Sequence, residues 1–172
     1  MMKIQITGYS SSGKSTFAKK LSSFYNIPLL HIDTIYFQKN WEKRPKELVL
    51  KELNQFIQKE QWIIDGQYRY LAPERYEIAD QIFIFDFNRF KCLYGAIKRR
   101  FHYRNKQRDS VAKGCKERLS LDFIFWILFN GRKKESKDLL KNLKKTYPEK
   151  VVVFKKRKHV YTYLKKLGFY EQ

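Results

Sequence analysis

Apolar positions along this chain fall into two kinds of block. Short runs bounded by turn formers read as strands. Lys3-Ile4-Gln5-Ile6-Thr7 alternates and then meets glycine; Leu29-Leu30-His31-Ile32 follows Pro28; Trp62-Ile63-Ile64 ends at Asp65-Gly66; Gln81-Ile82-Phe83-Ile84-Phe85 ends at Asp86; Val151-Val152-Val153-Phe154 is the fifth. Between them apolar residues recur at helical spacing: Phe17, Ala18, Leu21 and Phe24/Tyr25 within 15–25, and Val49, Leu53, Phe56 and Ile57 after Pro45. Residues 89–104 read as a helix, 119–145 as a longer one, and 161–167 as a last one. Strands alternating with helices imply an α/β fold with a mostly parallel sheet and helices on both faces. No internal repeat or Gly/Ser-rich linker divides the chain, so 1–172 is expected to be one domain. The polar, basic stretch around Gly114 reads as a mobile lid-like insertion near 105–118.

Composition narrows the partners. Lys and Arg number 37 against 17 Asp and Glu, a formal net charge of +20. Such a balance favours polyanions: nucleotides, nucleic acid or an anionic membrane surface. Cys92 and Cys115 form no C-x-x-C pair, and His31, His102 and His159 are scattered, so zinc or disulfide frameworks are not indicated. The apolar run 123–129 is far short of the roughly 20 residues that span a bilayer. The chain goes straight into a strand pattern with no leader pattern, so a cytoplasmic location and no membrane partner are expected.

Gly8-Tyr9-Ser10-Ser11-Ser12-Gly13-Lys14-Ser15 matches G-x-x-x-x-G-K-[ST] completely, between a strand pattern and a helix pattern. Gly8 and Gly13 let the backbone turn so that the amides of Ser10, Ser11 and Ser12 face inward as a phosphate cradle, and the following helix adds its positive end. Lys14 is placed for the β- and γ-phosphates, Ser15 for Mg²⁺ and Thr16 for the α-phosphate. ATP and Mg²⁺ are therefore the expected cofactors.

Asp33, Asp65 and Asp86 follow the second, third and fourth strand patterns, and open parallel sheets bind ligands at their carboxyl ends. Asp65, after an apolar run, is the candidate Mg²⁺ acid beside Ser15. Asp33 is the candidate general base toward an acceptor hydroxyl. Asp86 is left open between a functional and a structural role. Among the lid arginines, Arg99 and Arg104 are the candidates to neutralise transferring charge. Arg132-Lys133-Lys134 reads as a solvated helix face. Lys155-Lys156-Arg157-Lys158 follows the fifth strand, where an adenine would lie against backbone, and Arg157 is its candidate contact.

These motifs, with Trp62 to Tyr68, Ile84 to Phe87 and Lys98-Arg99-Arg100, resemble the adenylate-kinase-like group of P-loop kinases. More closely, His31-Ile32-Asp33, Glu74-Arg75 and Cys115-x-Glu117-Arg118-Leu119 resemble the bacterial DNA topology modulation (FlaR-related) family. The resemblance implies a three-layer α/β/α P-loop NTPase with a five-stranded parallel sheet in the order 2-3-1-4-5. It implies that Arg69, following Asp65-Gly66, holds an acceptor phosphate. Adenylate kinases usually carry an arginine near the position of Tyr94-Gly95, which is absent here; the next matches Arg99. His31-Ile32-Asp33 looks more like the segment of kinases that handle a hydroxyl. The resulting expectation is an ATP-binding kinase-like transferase acting on a nucleoside, nucleotide or small-metabolite hydroxyl. It would be a monomer or small homo-oligomer, with nucleic acid left open as a partner through the basic surface. The family label supplies the alternative, a nucleotide-dependent DNA-binding protein.

Overall fold

The computed structural model describes residues 1–104 and 106–169. β1 (Lys3–Gly8), β2 (Leu29–His31), β5 (Trp62–Asp65), β6 (Gln81–Phe85) and β7 (Val151–Phe154) form one parallel sheet in the order β2-β5-β1-β6-β7. Counting only these five strands in chain order, that is the expected 2-3-1-4-5. The sheet is covered on both faces, so its central strands β5, β1 and β6 are buried along nearly their whole length, including the polar Gln5 and Thr7 of β1. On one face Phe83 and Phe85 of β6 and Phe154 of β7 meet Phe17 of α1 (Lys14–Tyr25), with ring centroids 5.0, 5.4 and 5.5 Å apart. Tyr163 of α8 (Arg157–Lys166) closes that cluster. The alternate residues Ile82 and Ile84 are buried on the other face. No helix among the described residues is long and apolar enough to cross a membrane.

Register fixes what lies at the carboxyl ends of the strands. His31 is paired with Asp65, Asp65 with Ile6, and Gly8 with Phe85. Gly8 has φ +119°, and a Cβ there would lie 2.4 Å from the Phe85 carbonyl oxygen. Only glycine lets β1 turn out of the sheet so close to β6.

Several elements differ from the sequence pattern. The second strand stops at His31, and Ile32 opens a short helix, α2 (Ile32–Tyr36), so Asp33 lies in a first helical turn rather than at a strand end. A small antiparallel hairpin, β3 (Phe37–Gln38) and β4 (Glu42–Lys43), follows; two-residue strands leave no periodic trace. α3 (Lys46–Ile57) and α5 (Arg89–His102) stand where the spacing put them, and α8 begins four residues before 161. The single helix expected over 119–145 is broken into α6 (Leu121–Leu128), a 3₁₀ turn at Asn130–Arg132 and α7 (Lys134–Thr146). Gly131 is buried beneath Trp126, with room for a Cβ only 3.0 Å from that ring and its carbonyl. Arg132 turns inward and donates to the carbonyls of Phe87 (2.8 Å) and Ile127 (3.2 Å). It is not part of a solvated helix face. Residue 105, the start of the expected insertion, lies outside the described residues.

Arg75, in the short helix α4 (Arg75–Ile78), is fully buried and meets no carboxylate among the described residues within ion-pair distance. Its guanidinium donates to Gln5 Oε1 (2.9 Å) and to the carbonyls of Leu71, Ala72 (2.9 Å), Gln67 (2.8 Å) and Tyr68 (3.2 Å). Burial lowers its pKa from the ordinary value. This one side chain therefore gathers the loop between β5 and α4 against β1. Replacing Arg75 by Met would strand those carbonyls, and a loss of about 3 kcal/mol in urea unfolding is expected. An unchanged midpoint would show that the loop is held some other way.

Candidate functional site

The phosphate loop leaves β1 at Gly8 and enters α1 at Gly13, whose φ of +102° makes it a left-handed N-cap. That cap offers no side chain to the first amides of α1, and the first turn holds no acid. The helix end is thus free for an anion. Inside the loop the Tyr9 carbonyl accepts from both Ser12 Oγ and Lys14 Nζ, each at 2.7 Å. Ser10 and Ser11 line the loop partly buried, and Thr16 is exposed just inside α1. Two neighbours brace it. Gly95 of α5 lies so close that a Cβ would approach the Ser11 carbonyl oxygen to 2.3 Å, which explains why no arginine occupies that position. The Arg132 guanidinium covers the Tyr9 ring at 3.7 Å.

Three charged groups meet at the loop's inner side. Asp65 is buried, and its Oδ2 pairs with His31 Nδ1 at 2.9 Å. Burial works to raise its pKa, but the His31 hydrogen bond, the Lys14 charge and the nearby Ser15 hydroxyl outweigh it and hold the carboxyl below its ordinary value. Its Oδ1 has no hydrogen-bond partner among the described residues, nor has His31 Nε2. Burial also lowers the pKa of Lys14, against the pull of Asp65 and Asp33. Asp33 is pushed above the ordinary carboxylate range by burial, with Asp65 adding to the effect. Tyr68, Lys14 and Arg108 oppose that shift. The Tyr68 hydroxyl donates to Asp33 Oδ1 at 2.6 Å, and the Tyr68 ring packs on Tyr36 with centroids 4.5 Å apart.

The insertion folds over this group and docks. Glu117, buried, receives Arg99 Nε at 2.8 Å on one oxygen and faces Arg108 Nε at 3.2 Å with the other. Burial lowers the pKa of Arg99, as does the neighbouring Arg108 charge. Both arginines engage Glu117 through Nε, so their outer nitrogens remain for another anion. At its rim the insertion meets the hairpin: Trp41 Nε1 donates to the Lys116 carbonyl (2.9 Å), and the Cys115 thiol to that of Gln38 (3.1 Å). Val111, Ala112 and Cys115 pack on Phe37 and Trp41. On the other side Lys19 of α1 pairs with Asp109 at 2.8 Å.

Arg157, exposed in the first turn of α8, reaches over Gly95, where a Cβ would meet its Nη2 at 2.8 Å. A cavity of about 520 Å³ beside it is lined by Phe90, Lys91, Tyr94, Lys156, Arg157 and Lys158. The structure thus brings Gly8 to Thr16, Asp33, Asp65, Arg99 and Arg157 to one end of the sheet. Arg69 and Arg104 are exposed, and neither makes a side-chain hydrogen bond or ion pair among the described residues. Asp86 pairs with Lys144 at 2.9 Å. Sequence reasoning missed His31, Glu117 and Arg132 as members of the site. Glu117 stood in a segment already singled out, but a lone acid among so many cations gives no sign of being buried.

No protein-family model matches the chain, and no curated protein matches it. Among solved structures the chain is similar to the crystal structure of shikimate kinase from Aquifex aeolicus vf5, at 20% sequence identity. The match covers 97% of this chain and 96% of that one, with a TM-score of 0.46.

Glu117→Gln would leave two partly buried guanidinium groups without their shared counter-charge. A loss of about 3 kcal/mol on chemical unfolding is expected. A loss below about 0.5 kcal/mol, the scale of an exposed pair, would mean that Glu117 does not anchor the insertion.

Proposed function

We propose that this chain is a P-loop phosphotransferase. It binds Mg·ATP at Gly8 to Thr16 and passes the γ-phosphoryl group to a hydroxyl of a small acceptor. One observation carries the reading: a raised-pKa carboxylate, Asp33, shares a single electrostatic neighbourhood with the loop lysine, the strand-end acid Asp65 and the insertion arginine Arg108. A phosphate-binding protein without transfer chemistry has no use for a second carboxylate of raised pKa there.

The residues at the loop fit a divalent cation, because Asp65 Oδ1 is buried without a partner beside the Ser15 hydroxyl. Ser15 and Asp65 would hold Mg²⁺, which when bound neutralises charge on the phosphates. His31 keeps the Asp65 carboxylate ionised and aims its second oxygen away from the imidazole. Lys14, now resting on the Tyr9 carbonyl, would hold the β- and γ-phosphates. Arg99 from α5 and Arg108 from the insertion supply positive charge, and the insertion also excludes water. Arg157 and the cavity at Phe90 and Tyr94 receive the base, by stacking and by contact with its edge.

Asp33 takes the acceptor proton. Tyr68 occupies one of its oxygens and leaves the other for the incoming hydroxyl. The walls here are Tyr36 and Tyr68, which suit a ring-bearing alcohol or nucleoside better than a bare phosphate. Arg69, the candidate for an acceptor phosphate, stands exposed in the turn beyond.

Calorimetric titration with Mg·ATP should show affinity weakened roughly a hundredfold in Lys14→Ala. Equal affinity in the two proteins would sink the proposal. Asp33→Asn should keep Mg·ATP affinity yet cut acceptor-dependent ADP release by about a thousandfold, measured across nucleosides, nucleoside monophosphates and small alcohols. A fully active Asp33→Asn would remove Asp33 as the base. The acid limb of the pH–rate profile should lie above the ordinary carboxylate range. Tyr68→Phe should move it higher still, because the lost hydrogen bond stabilised the ionised form. Movement to lower pH would contradict the assignment.

A further inference from the structure

Two neighbouring helices carry large apolar side chains that no other part of the described chain covers. On α5, beyond the cavity at Phe90 and Tyr94, Ile97 and Phe101 follow at helical spacing and are exposed, Phe101 at 73%. They lie opposite Cys92 and Ala96, the buried residues of the same helix. On α6, Leu121 is 83% exposed, and Phe125, Trp126 and Phe129 are exposed with it. The Arg89 guanidinium lies over the Phe129 ring and that of Arg99 over the Phe123 ring, each at 5.6 Å. The helices therefore run side by side in opposite directions, with Phe101 toward the Leu121 end. Phe125 and Phe129 touch, with ring centroids 4.8 Å apart. Exposed large apolar side chains at the adjoining ends of two helices mark an interaction surface.

The charge around the band selects the partner. α5 carries Arg89, Lys91, Lys98 and Arg100 and no acid, while its Arg99 is turned to Glu117; α6 adds only Asp122. A second copy related by a twofold axis would set one basic helix against another, without acids to answer it. A single nucleic-acid strand would answer the charge and stack on the rings. It would leave Leu121 and Ile97 unused, since an aliphatic tip offers no face to a base. An anionic bilayer surface answers both features. Phe, Trp, Tyr and Leu tips enter the boundary between headgroups and acyl chains, while Lys and Arg reach the lipid phosphates.

We infer that the α5–α6 face is a docking surface for an anionic lipid bilayer, touched from one side and not crossed. Spanning and docking make different demands. The short apolar run that rules out a span is long enough for one buried helix face.

Flotation with phosphatidylcholine vesicles, with and without phosphatidylserine, tests this on the full chain. The wild type should float with phosphatidylserine vesicles, remain unbound with phosphatidylcholine alone, and be released by salt. The combined variant Phe101→Ser, Leu121→Ser, Phe125→Ser touches no residue placed in the site. It should bind at least about tenfold more weakly, with its melting temperature and Mg·ATP affinity unchanged. Lys98→Glu with Arg100→Glu, which leaves the apolar band intact, should also lose binding. The proposal falls if the wild type stays unbound, or if the serine variant floats equally well. It also falls if those substitutions instead dissolve a dimer seen by sedimentation, or abolish binding of an oligodeoxynucleotide while vesicles do nothing.

Discussion

Everything in this molecule depends on where parallel strands stop. Parallel pairing in fixed register puts His31 beside Asp65, Asp65 beside Ile6, and Gly8 beside Phe85, so the chain leaves the sheet within two residues of one level on adjacent strands. From that level the phosphate loop, α2 and the loop before α4 all depart. A slip of one residue in β5 would turn Asp65 to the opposite face of the sheet and break its pairing with His31. The sheet is thus less a scaffold beneath the site than the ruler that sets its distances.

Gathering charge at that level is costly, and the structure shows how the cost is offset. Burial disfavours the charged forms of Lys14, Asp33 and Asp65 alike, as expected for ions taken out of water. Asp65 recovers through His31 and Lys14 and remains ionised. Asp33 recovers less and sits nearer its neutral form. Two carboxylates in one neighbourhood are therefore driven apart in pKa, and this separation allows one to hold a cation while the other exchanges a proton. The pair has opposite consequences for stability. Asp65, with its lowered value, stabilises the fold above the ordinary carboxylate range, and that contribution is lost as pH falls through its native pKa. Asp33, with its raised value, favours the fold at low pH, and that contribution is lost as pH rises through its native pKa.

The sheet and the loop were legible from sequence because both are local. Five apolar runs, the strand–glycine junction at Gly8 and the Gly13-Lys14-Ser15 sequence each carry their own signal. What was hidden depends on distant partners. Arg132 sits in a run of three cations that reads as surface, yet it is drawn inward by the Tyr9 ring and the Phe87 carbonyl, some 45 residues or more away in sequence. The same pull, with Gly131 under Trp126, breaks a helix that periodicity alone runs through 119–145. The 37–43 hairpin escaped because two-residue strands have no period, although it is the shelf on which the insertion rests.

α5 ties these parts together, and its residue choices show competing demands on one helix. At Gly95 it gives up a side chain, at a helix-propensity cost of about 1 kcal/mol, so that the Ser11 carbonyl can lie against it. One turn later it supplies Arg99 to Glu117 in the insertion. Its outer face keeps Phe90, Tyr94, Ile97 and Phe101 in water, where solubility alone would place polar residues. A rigid helix cannot shift one of these contacts without shifting the others. Any force applied to the outer face is therefore felt at the phosphate loop through Gly95 and at the insertion through Arg99. That mechanical connection follows from packing alone: a bulkier residue at 95 would push the helix off the loop, and Arg99 would move with it, away from the acid that aims it at the site.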